Sequence, residues 1–297
     1  MSRSHRVTVV TSDRSPLKIA LPNKGSLAEA TTSMLREAGY KQRADSKDLV
    51  LLDEANGVEF YYLRPRDIAV YVGERTLDLG VTGRDLLLDS GANAQEIMPL
   101  GFGDTKFRFA APGGADWTLD DLDGRRLATS FPGLLGQYLE RRGVSARLIK
   151  LDGAVESAVR LGVADAIADV VETGSTLKRA GLEVFGAPIL ESEAILIQPR
   201  GTAGPEGLEL LKRRLNGVMT ARNYRMIDYN VDSLTLDAAC RITPGIDSPT
   251  ISPLQRDGWL AVRALIPAKD APAIMDELWE VGAEGILVTD IAACRLA

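Results

Sequence analysis

DAIADVVETGSTL, residues 165–177, decides the fold class of this chain. Its first seven residues form a near-continuous apolar run, which is typical of a buried parallel strand. Two carboxylates, Asp169 and Glu172, close the run, and the small polar turn Thr173–Thr176 then begins the next helix. A strand that leads through a short turn into a helix is the repeating unit of an α/β fold.

The same alternation of apolar strands and amphipathic helices extends in both directions from this stretch. Two late strands are predicted to return toward the first block, which gives a two-lobed clamp with a cleft between the lobes. Ligands of open α/β sheets bind at the carboxyl ends of strands, near such switch points. The predicted strands cover 18–22, 58–63, 78–82, 107–111, 126–129, 146–148, 165–171, 183–185 and 194–197, and the predicted helices 26–38 (with Ser26 as N-cap), 83–89, 132–142 and 154–161.

The C-terminal third forms a separate unit behind a linker rich in proline and glycine, residues 199–206. It is predicted as a small ferredoxin-like β-α-β-α-β domain. Its predicted strands are 224–231, 259–266 and 285–290, and its helices 208–218, 233–239 and 272–281. The predicted organisation is a flexible extension (1–17), lobe I (18–105 and 186–203), lobe II (106–185) and a C-terminal domain (207–297).

Composition excludes several classes of protein. The 297 residues are 45% hydrophobic and 26% charged, as in globular proteins and unlike disordered ones. The net charge of −6 without a long basic run argues against nucleic-acid binding. No apolar stretch is long enough to span a membrane and no secretory signal is visible, so a cytoplasmic location is expected.

The chain contains one histidine, His5, and two cysteines. A Ser-His-Asp triad or a histidine-rich metal site is therefore hard to build. Catalysis is expected to use carboxylates, lysine and arginine, backbone dipoles and a bound hard cation.

The turn Thr173–Thr176 has the composition of an anion site. Backbone N–H groups at the start of a helix and the hydroxyls of Ser175 and Thr176 are donors, and Gly174 lets the backbone approach a phosphate. Asp169 and Glu172 beside it suit sugar hydroxyls or Mg²⁺ carried by a polyphosphate. The alternative is an ordinary capped helix with Thr173 or Ser175 as its N-cap.

Three more strand-to-helix turns carry charge. Lys24 and Gly25 lie in the turn 22–27, Arg64 begins Arg-Pro-Arg-Asp at 64–67, and Asp85 ends Thr-Gly-Arg-Asp at 82–85. Arginine and lysine at the ends of strands suit a phosphorylated ligand. A solvated turn and structural arginine–aspartate pairs are the alternatives.

Five segments together resemble the ATP phosphoribosyltransferase family, in its long form with a C-terminal regulatory domain. They are ALPNKGSL (20–27), RPRDI (64–68), GVTGRDLL (80–87), residues 151–177 and SPTISPL (248–254). The resemblance covers the chain from about Lys18 to Leu296. It implies a periplasmic-binding-protein-like catalytic clamp that joins ATP to 5-phosphoribosyl 1-pyrophosphate (PRPP) and releases pyrophosphate, the first step of histidine biosynthesis. It also implies Mg²⁺ carried by the substrate phosphates rather than by a protein metal site, and a homo-oligomer between dimer and hexamer.

The resemblance also assigns residues by position. For PRPP it implies Asp169 and Glu172 at the ribose hydroxyls and the turn Thr173, Gly174, Ser175, Thr176 at the 5-phosphate. For ATP and the pyrophosphate it implies Lys24, Gly25, Arg64 and Asp85, with Lys24, Arg64, Asp85 and Asp169 as the catalytic set. For the feedback inhibitor L-histidine it implies Asn230, Ile246, Thr250 and Gly285. An aspartate is expected at position 230, and Asn230 weakens the pairing with the histidine ammonium.

Two other functions compete with this hypothesis. A solute-binding or sensor module shares the two-lobed architecture, but the charged turns and the missing signal peptide argue against it. A catalytically silent regulatory paralogue is the other, and the intact turn from Asp169 to Thr176 argues against that.

Overall fold

The computed structural model describes residues 15–171 and 174–295. Glu172, Thr173 and most of the predicted N-terminal extension therefore lie outside the described residues. Contacts divide the described chain into two compact units, residues 15–32 with 40–207, and residues 33–39 with 208–295.

The first unit contains two sheets, and the first of them has six strands in the order β2-β3-β1-β4-β11-β5. β1 is parallel to both β3 and β4, whereas β11 returns antiparallel to β4. Helix α2 packs on this sheet through Ile68 and Val72, whose methyl groups lie so close to Gly80 that no side chain fits there. The strands are β1 Leu17–Pro22, β2 Val50–Asp53, β3 Val58–Leu63, β4 Leu79–Gly83, β5 Ala94–Pro99 and β11 Ala194–Pro199, and the helices α1 Ser26–Glu37, α2 Pro65–Gly73 and α3 Arg84–Ser90.

The second sheet has five strands in the order β10-β6-β9-β7-β8. β9 is parallel to β7 but antiparallel to β6, so the prediction of a parallel strand is right on one side of it. Phe107 and Phe109 pack on one face of the sheet, and Ala110 and Ile167 on the other. The strands are β6 Thr105–Pro112, β7 Arg126–Thr129, β8 Arg147–Lys150, β9 Ala166–Val171 and β10 Leu182–Ser192, and the helices α4 Pro132–Arg142, α5 Ser157–Arg160 and α6 Ser175–Arg179.

The chain passes from the first sheet to the second between β5 and β6 and returns between β10 and β11. This double crossing is the two-lobed arrangement expected from the sequence. The α/β fold class with a periplasmic-binding-protein-like clamp is therefore confirmed. Lobe I below means the first sheet with α1–α3, and lobe II means the second sheet with α4–α6.

The second unit carries a four-stranded antiparallel sheet in the order β13-β14-β12-β15. With two helices between its strands this is the β-α-β-β-α-β order of a ferredoxin-like fold, as predicted except for β13. The apolar stripe from Leu208 to Val218 on α7 is buried as expected. The elements are α7 Leu208–Asn223, β12 Tyr224–Asp232, α8 Leu236–Ile242, β13 Thr250–Pro253, β14 Trp259–Pro267, α9 Ala271–Glu280 and β15 Glu284–Asp290.

Several local expectations differ from the structure. The strands β2, β5 and β13 and the helix α2 were not predicted. Ser26 is the first residue of α1 rather than its N-cap, and the stripe at 154–161 forms only the four-residue helix α5. Within the described ranges, no helix is both long and apolar enough to cross a bilayer.

Candidate active site

Asp169 lies near the carboxyl end of β9, two residues before its last residue, Val171. Its Oδ1 accepts hydrogen bonds from Ser130 Oγ at 3.0 Å and from the Val170 backbone N–H at 2.9 Å. Burial raises the pKa of Asp169 above its ordinary value, although these two bonds and the positive charge of Arg66 oppose that rise. Asp169 is thus a largely desolvated carboxyl group with its second oxygen, Oδ2, outside these two bonds.

Asp85 lies in the first turn of α3 and is 8% exposed. Its backbone N–H donates to Ser192 Oγ at 3.0 Å, and its Oδ1 accepts from the Leu86 N–H at 2.8 Å. Burial is the main cause that raises the pKa of Asp85, and Arg66 again acts in the opposite direction. Since Ser192 ends β10, Asp85 lies where the chain crosses between the two lobes.

Arg66, in the first turn of α2, was not among the predicted site residues. Its guanidinium carbon lies 4.6 Å from the ring centroid of Phe131 in lobe II, and its Nη1 lies 3.4 Å from Asp89 Oδ2. Its positive charge lowers the pKa of both Asp85 and Asp169, one from each lobe. The motif at 64–67 contains two arginines, and the sequence-based assignment chose Arg64 only.

Asp89 joins the lobes in a second way that sequence reasoning missed. Its Oδ1 accepts from the backbone N–H groups of Gly133 at 2.8 Å and Leu134 at 3.1 Å. These amides begin α4, whose own N-cap position, Phe131, makes no side-chain cap bond. The first amides of a helix need acceptors, so the absence of a capping side chain near Phe131 was a signal that an acceptor comes from elsewhere.

Lys24, Arg64 and Asp85 follow the carboxyl ends of three adjacent parallel strands, β1, β3 and β4. Pro22 and Leu63 are register partners at the ends of β1 and β3, so the residues that follow them leave the sheet side by side. Lys24 and Arg64 are exposed, and Gly25 adopts a φ of +80° that starts the turn into α1. The structure therefore brings these predicted residues to one edge of the first sheet.

Gly174 adopts the left-handed conformation, with a φ of +70°, directly before α6. A Cβ placed there would lie 3.8 Å from Val171 Cγ1, which is ordinary contact. Glycine is therefore required here by backbone conformation, whereas the sequence argument was that the backbone approaches an anion. Ser175 and Thr176 are exposed at the start of α6, which is only five residues long and carries a correspondingly small dipole.

The four residues assigned to L-histidine all lie in the second unit, and the structure brings two of them together. A Cβ on Gly285, whose φ is +61°, would lie 3.3 Å from Asn230 Nδ2. Thr250 is separated from Asn230 by β14, where their register partners are Arg263 and Ala261 respectively. Ile246 is 43% exposed in the segment between α8 and β13.

A resident metal ion would need a cluster of protein ligands. Residues 15–171 and 174–295 contain no group of three or more histidine, cysteine, aspartate and glutamate side chains that could hold one. An ion brought by substrate phosphates needs no such cluster, because one or two carboxylates from the protein are enough.

Comparison with known proteins identifies the family. A family model described as "HisG: ATP phosphoribosyltransferase" matches residues 64–217, and one described as "HisG, C-terminal domain" matches residues 221–293. The curated ATP phosphoribosyltransferases of Paenarthrobacter aurescens and Salinispora tropica are 56% identical over 285 residues and 58% identical over 282 residues. Each alignment covers 94% of this chain and 100% of the relative.

Among solved structures, the ATP phosphoribosyl transferase (HisG:HisZ) complex from Thermotoga maritima is similar, with a TM-score of 0.58 and 26% identity. The match covers 68% of this chain and 98% of that one. With two family models matched in order and more than half of the residues shared with full-length relatives, the chain belongs to the ATP phosphoribosyltransferase family.

Proposed function

We propose that Asp85, Arg66 and Asp169 form the centre at which this enzyme transfers the phosphoribosyl group of PRPP to N1 of the ATP adenine. The enzyme is a transferase of the first step of histidine biosynthesis, as its relatives are. The observation that carries the assignment of the centre is that Asp85 from lobe I and Asp169 from lobe II have pKa values raised by burial, while the positive charge of Arg66 acts on both carboxyl groups. Arg66 itself contacts Phe131 of lobe II.

PRPP is proposed to bind to lobe II. Ser130 and Val170 both donate to Oδ1 of Asp169, so the ribose hydroxyls would donate to Oδ2. Glu172 would share the ribose, and the turn Thr173–Thr176 would receive the 5-phosphate. The left-handed Gly174 supports this proposal because it turns the chain sharply between the carboxylate and the exposed hydroxyls of Ser175 and Thr176.

ATP and the leaving pyrophosphate are proposed to bind at the edge of lobe I formed by Lys24, Gly25, Arg64 and Asp85. Two exposed cations at the ends of β1 and β3 would stabilise the negative charge that develops on the pyrophosphate. Asp85 would orient the nucleotide through its buried carboxyl group.

The reaction needs alignment rather than a protein nucleophile, because N1 of adenine displaces pyrophosphate from C1 directly. Holding two reactants in line contributes on the order of 7–11 kcal/mol to the rate. Mg²⁺ bound to the phosphates would supply charge neutralisation of the leaving group. Exclusion of water between the lobes would limit hydrolysis of PRPP.

The second unit is proposed as a regulatory domain. Residues 207–297 would bind L-histidine through Asn230, Ile246, Thr250 and Gly285 in an assembly between dimer and hexamer. The proximity of Asn230 and Gly285 supports a shared pocket. The proposed boundaries of the other domains are 18–105 with 186–203 for lobe I and 106–185 for lobe II. The proposed location of the protein is the cytoplasm.

The test is a steady-state assay of pyrophosphate release from ATP plus PRPP with Mg²⁺, run beside Asp169→Asn protein. We expect release by the wild type and a loss of at least about 100-fold in the variant. A wild type that binds PRPP by calorimetry yet releases no pyrophosphate would contradict the proposal and favour a binding module or a silent paralogue.

A further inference from the structure

A basic groove lies on lobe II, and Gly174, which is assigned to PRPP, is part of its lining. Its charged residues are not assigned to either substrate. It encloses about 550 Å³, and its charged lining consists of Lys106, Arg108, Lys178 and Glu183. Among the described lining residues, three cations against one carboxylate leave an excess of positive charge. Its apolar floor is formed by Val171, Leu177, Leu182 and Val184.

The strand register explains why two of these cations, Lys106 and Arg108, lie close to Gly174. β6 starts where β9 ends, with Lys106 opposite Val171 and Arg108 opposite Asp169. Directly paired residues of neighbouring strands share a face of the sheet. Lys106 and Arg108 therefore project from the same face as Asp169. Their register partners on β9, Val171 and Asp169, lie three and five residues before Gly174.

Arg108 is only partly satisfied by the protein. Its Nη2 donates to the Gly186 carbonyl oxygen at 2.7 Å, but its buried Nε has no acceptor among the described residues. Asp169, although opposite in register, accepts its bonds from Ser130 and Val170 instead. A buried donor without a partner is unfavourable, and the oxygen of a ligand would supply the missing acceptor.

The other two cations are available to a ligand. Lys106 Nζ lies 3.2 Å from Glu191 Oε1, but the two side chains are 55% and 70% exposed, and pairs of this kind contribute little. Lys178 is exposed on α6. The acidic member, Glu183, lies against Gly113, where its Oε1 would be 2.8 Å from an added Cβ.

We propose that this groove is a second anion subsite that binds a phosphate group of a substrate through Arg108, Lys106 and Lys178. The inference rests on the proposed function, because it adds a phosphate subsite to the same reaction. The phosphate has two sources with the same chemistry, the pyrophosphate of PRPP or the polyphosphate of ATP. Excess positive charge and an unmet N–H donor favour phosphate oxygens over an apolar or cationic ligand.

The experiment measures calorimetric binding of inorganic pyrophosphate to the full chain and to Lys106→Gln and Arg108→Gln. The matched control is Arg147→Gln, which removes the same charge from an exposed position on β8, the opposite edge of the sheet. We expect each groove variant to bind about tenfold more weakly, as for loss of one charge-assisted hydrogen bond, and the control to be unchanged. Glu191→Gln should bind pyrophosphate somewhat more tightly, because it removes a negative charge 3.2 Å from Lys106 Nζ.

Steady-state kinetics then separates the two sources of phosphate. A rise of about tenfold in KM for PRPP alone identifies its pyrophosphate as the ligand, and a rise in KM for ATP alone identifies the nucleotide. Lys106→Gln keeps the test valid if Arg108→Gln fails to fold without its bond to Gly186.

Three results overturn the subsite: no pyrophosphate binding by the wild type, groove variants that match it in Kd and both KM values, or equal weakening by Arg147→Gln. A wild type that binds pyrophosphate in the groove but releases none from ATP plus PRPP contradicts the proposed function alone.

Discussion

The two ends of β9 carry aspartates in opposite electrostatic states. At the amino end, Asp165 is held by Arg126, with Nη2 2.7 Å from Oδ1 and Nε 3.2 Å from Oδ2, and the pKa of Asp165 is lowered to about 2. At the carboxyl end, four residues on, burial raises the pKa of Asp169 and no such fork is present in the described chain. The comparison shows that one carboxylate of this strand is paired with an arginine and stabilises the fold. The other, Asp169, has no arginine partner among the described residues that offsets its burial, and a ligand is proposed to bind there.

Among the variants that test this comparison, Asp169→Asn should have the largest effect, and the effect should be on activity. We expect kcat/KM to fall by at least about 100-fold, because a group that stabilises the transition state by its charge is removed. The melting temperature should be no lower than that of the wild type, because Asn keeps an acceptor for Ser130 and Val170 while removing a desolvated charge. Thermal unfolding checks the second expectation, and a large loss of stability would make Asp169 a structural residue like Asp165.

Arg66→Gln should give the next largest effect, about tenfold in kcat/KM. Since Arg66 lowers the pKa of both Asp85 and Asp169, its loss should raise both and move the acid limb of the pH–rate profile to higher pH. The profile of Arg147→Gln is the control for a general loss of charge. An unmoved acid limb would show that Arg66 only packs against Phe131.

Asp165→Asn should act on stability alone. The free energy of unfolding should fall by about 1 kcal/mol, a value discounted because Asp165 and Arg126 are both partly exposed. Urea titration measures the loss, and pyrophosphate release should stay within about twofold of the wild type, since no transition-state contact is removed. A fall in activity comparable to that of Asp169→Asn would remove the distinction between the two ends of β9.

The smallest effect is a pH dependence of opposite sign for the two variants. Asp165 has a folded pKa of about 2 against 3.8, so its contribution to stability is present above pH 3.8 and disappears as pH falls toward about 2. The pKa of Asp169 is raised in the folded protein, so its ionisation lowers the free energy of unfolding. This loss is absent below pH 3.8, where the carboxyl group is protonated in both states, and it develops as the pH rises. Asp165→Asn should therefore be less stable than the wild type by an amount that decreases as pH falls. Asp169→Asn should be more stable than the wild type, and this difference should also decrease as pH falls. Unfolding curves recorded from neutral pH down to about pH 2 measure both effects.

The residues that local pattern identified are those whose role depends on their own strand or turn. Asp169 follows an apolar run and precedes a glycine, and Lys24, Arg64 and Asp85 each follow a predicted strand, so their place at strand ends was predictable. Their chemical roles still depend on the family resemblance and the experiments above.

The features that were missed depend on distant partners or lack a pattern. Asp89 and Gly133 are 44 positions apart, and nothing in either segment indicates the other. β13 is only four residues long, is exposed along its whole length and ends in Pro253, which weakens a strand prediction. Arg66 was passed over because two arginines of one motif look alike until α2 directs one of them toward Phe131.

The cap that Asp89 places on α4 also bears on how this protein evolves. A side chain at position 133 would overlap the Asp89 backbone carbonyl, and a residue at 89 without an acceptor would strand two amides of a helix that lies in the other lobe. Position 133 is therefore confined to glycine by the backbone of residue 89, and position 89 to a short acceptor by the backbone amides of residues 133 and 134. A chimera that takes lobe I from one lineage and lobe II from another should keep the cap only if the first supplies the acceptor and the second supplies the glycine.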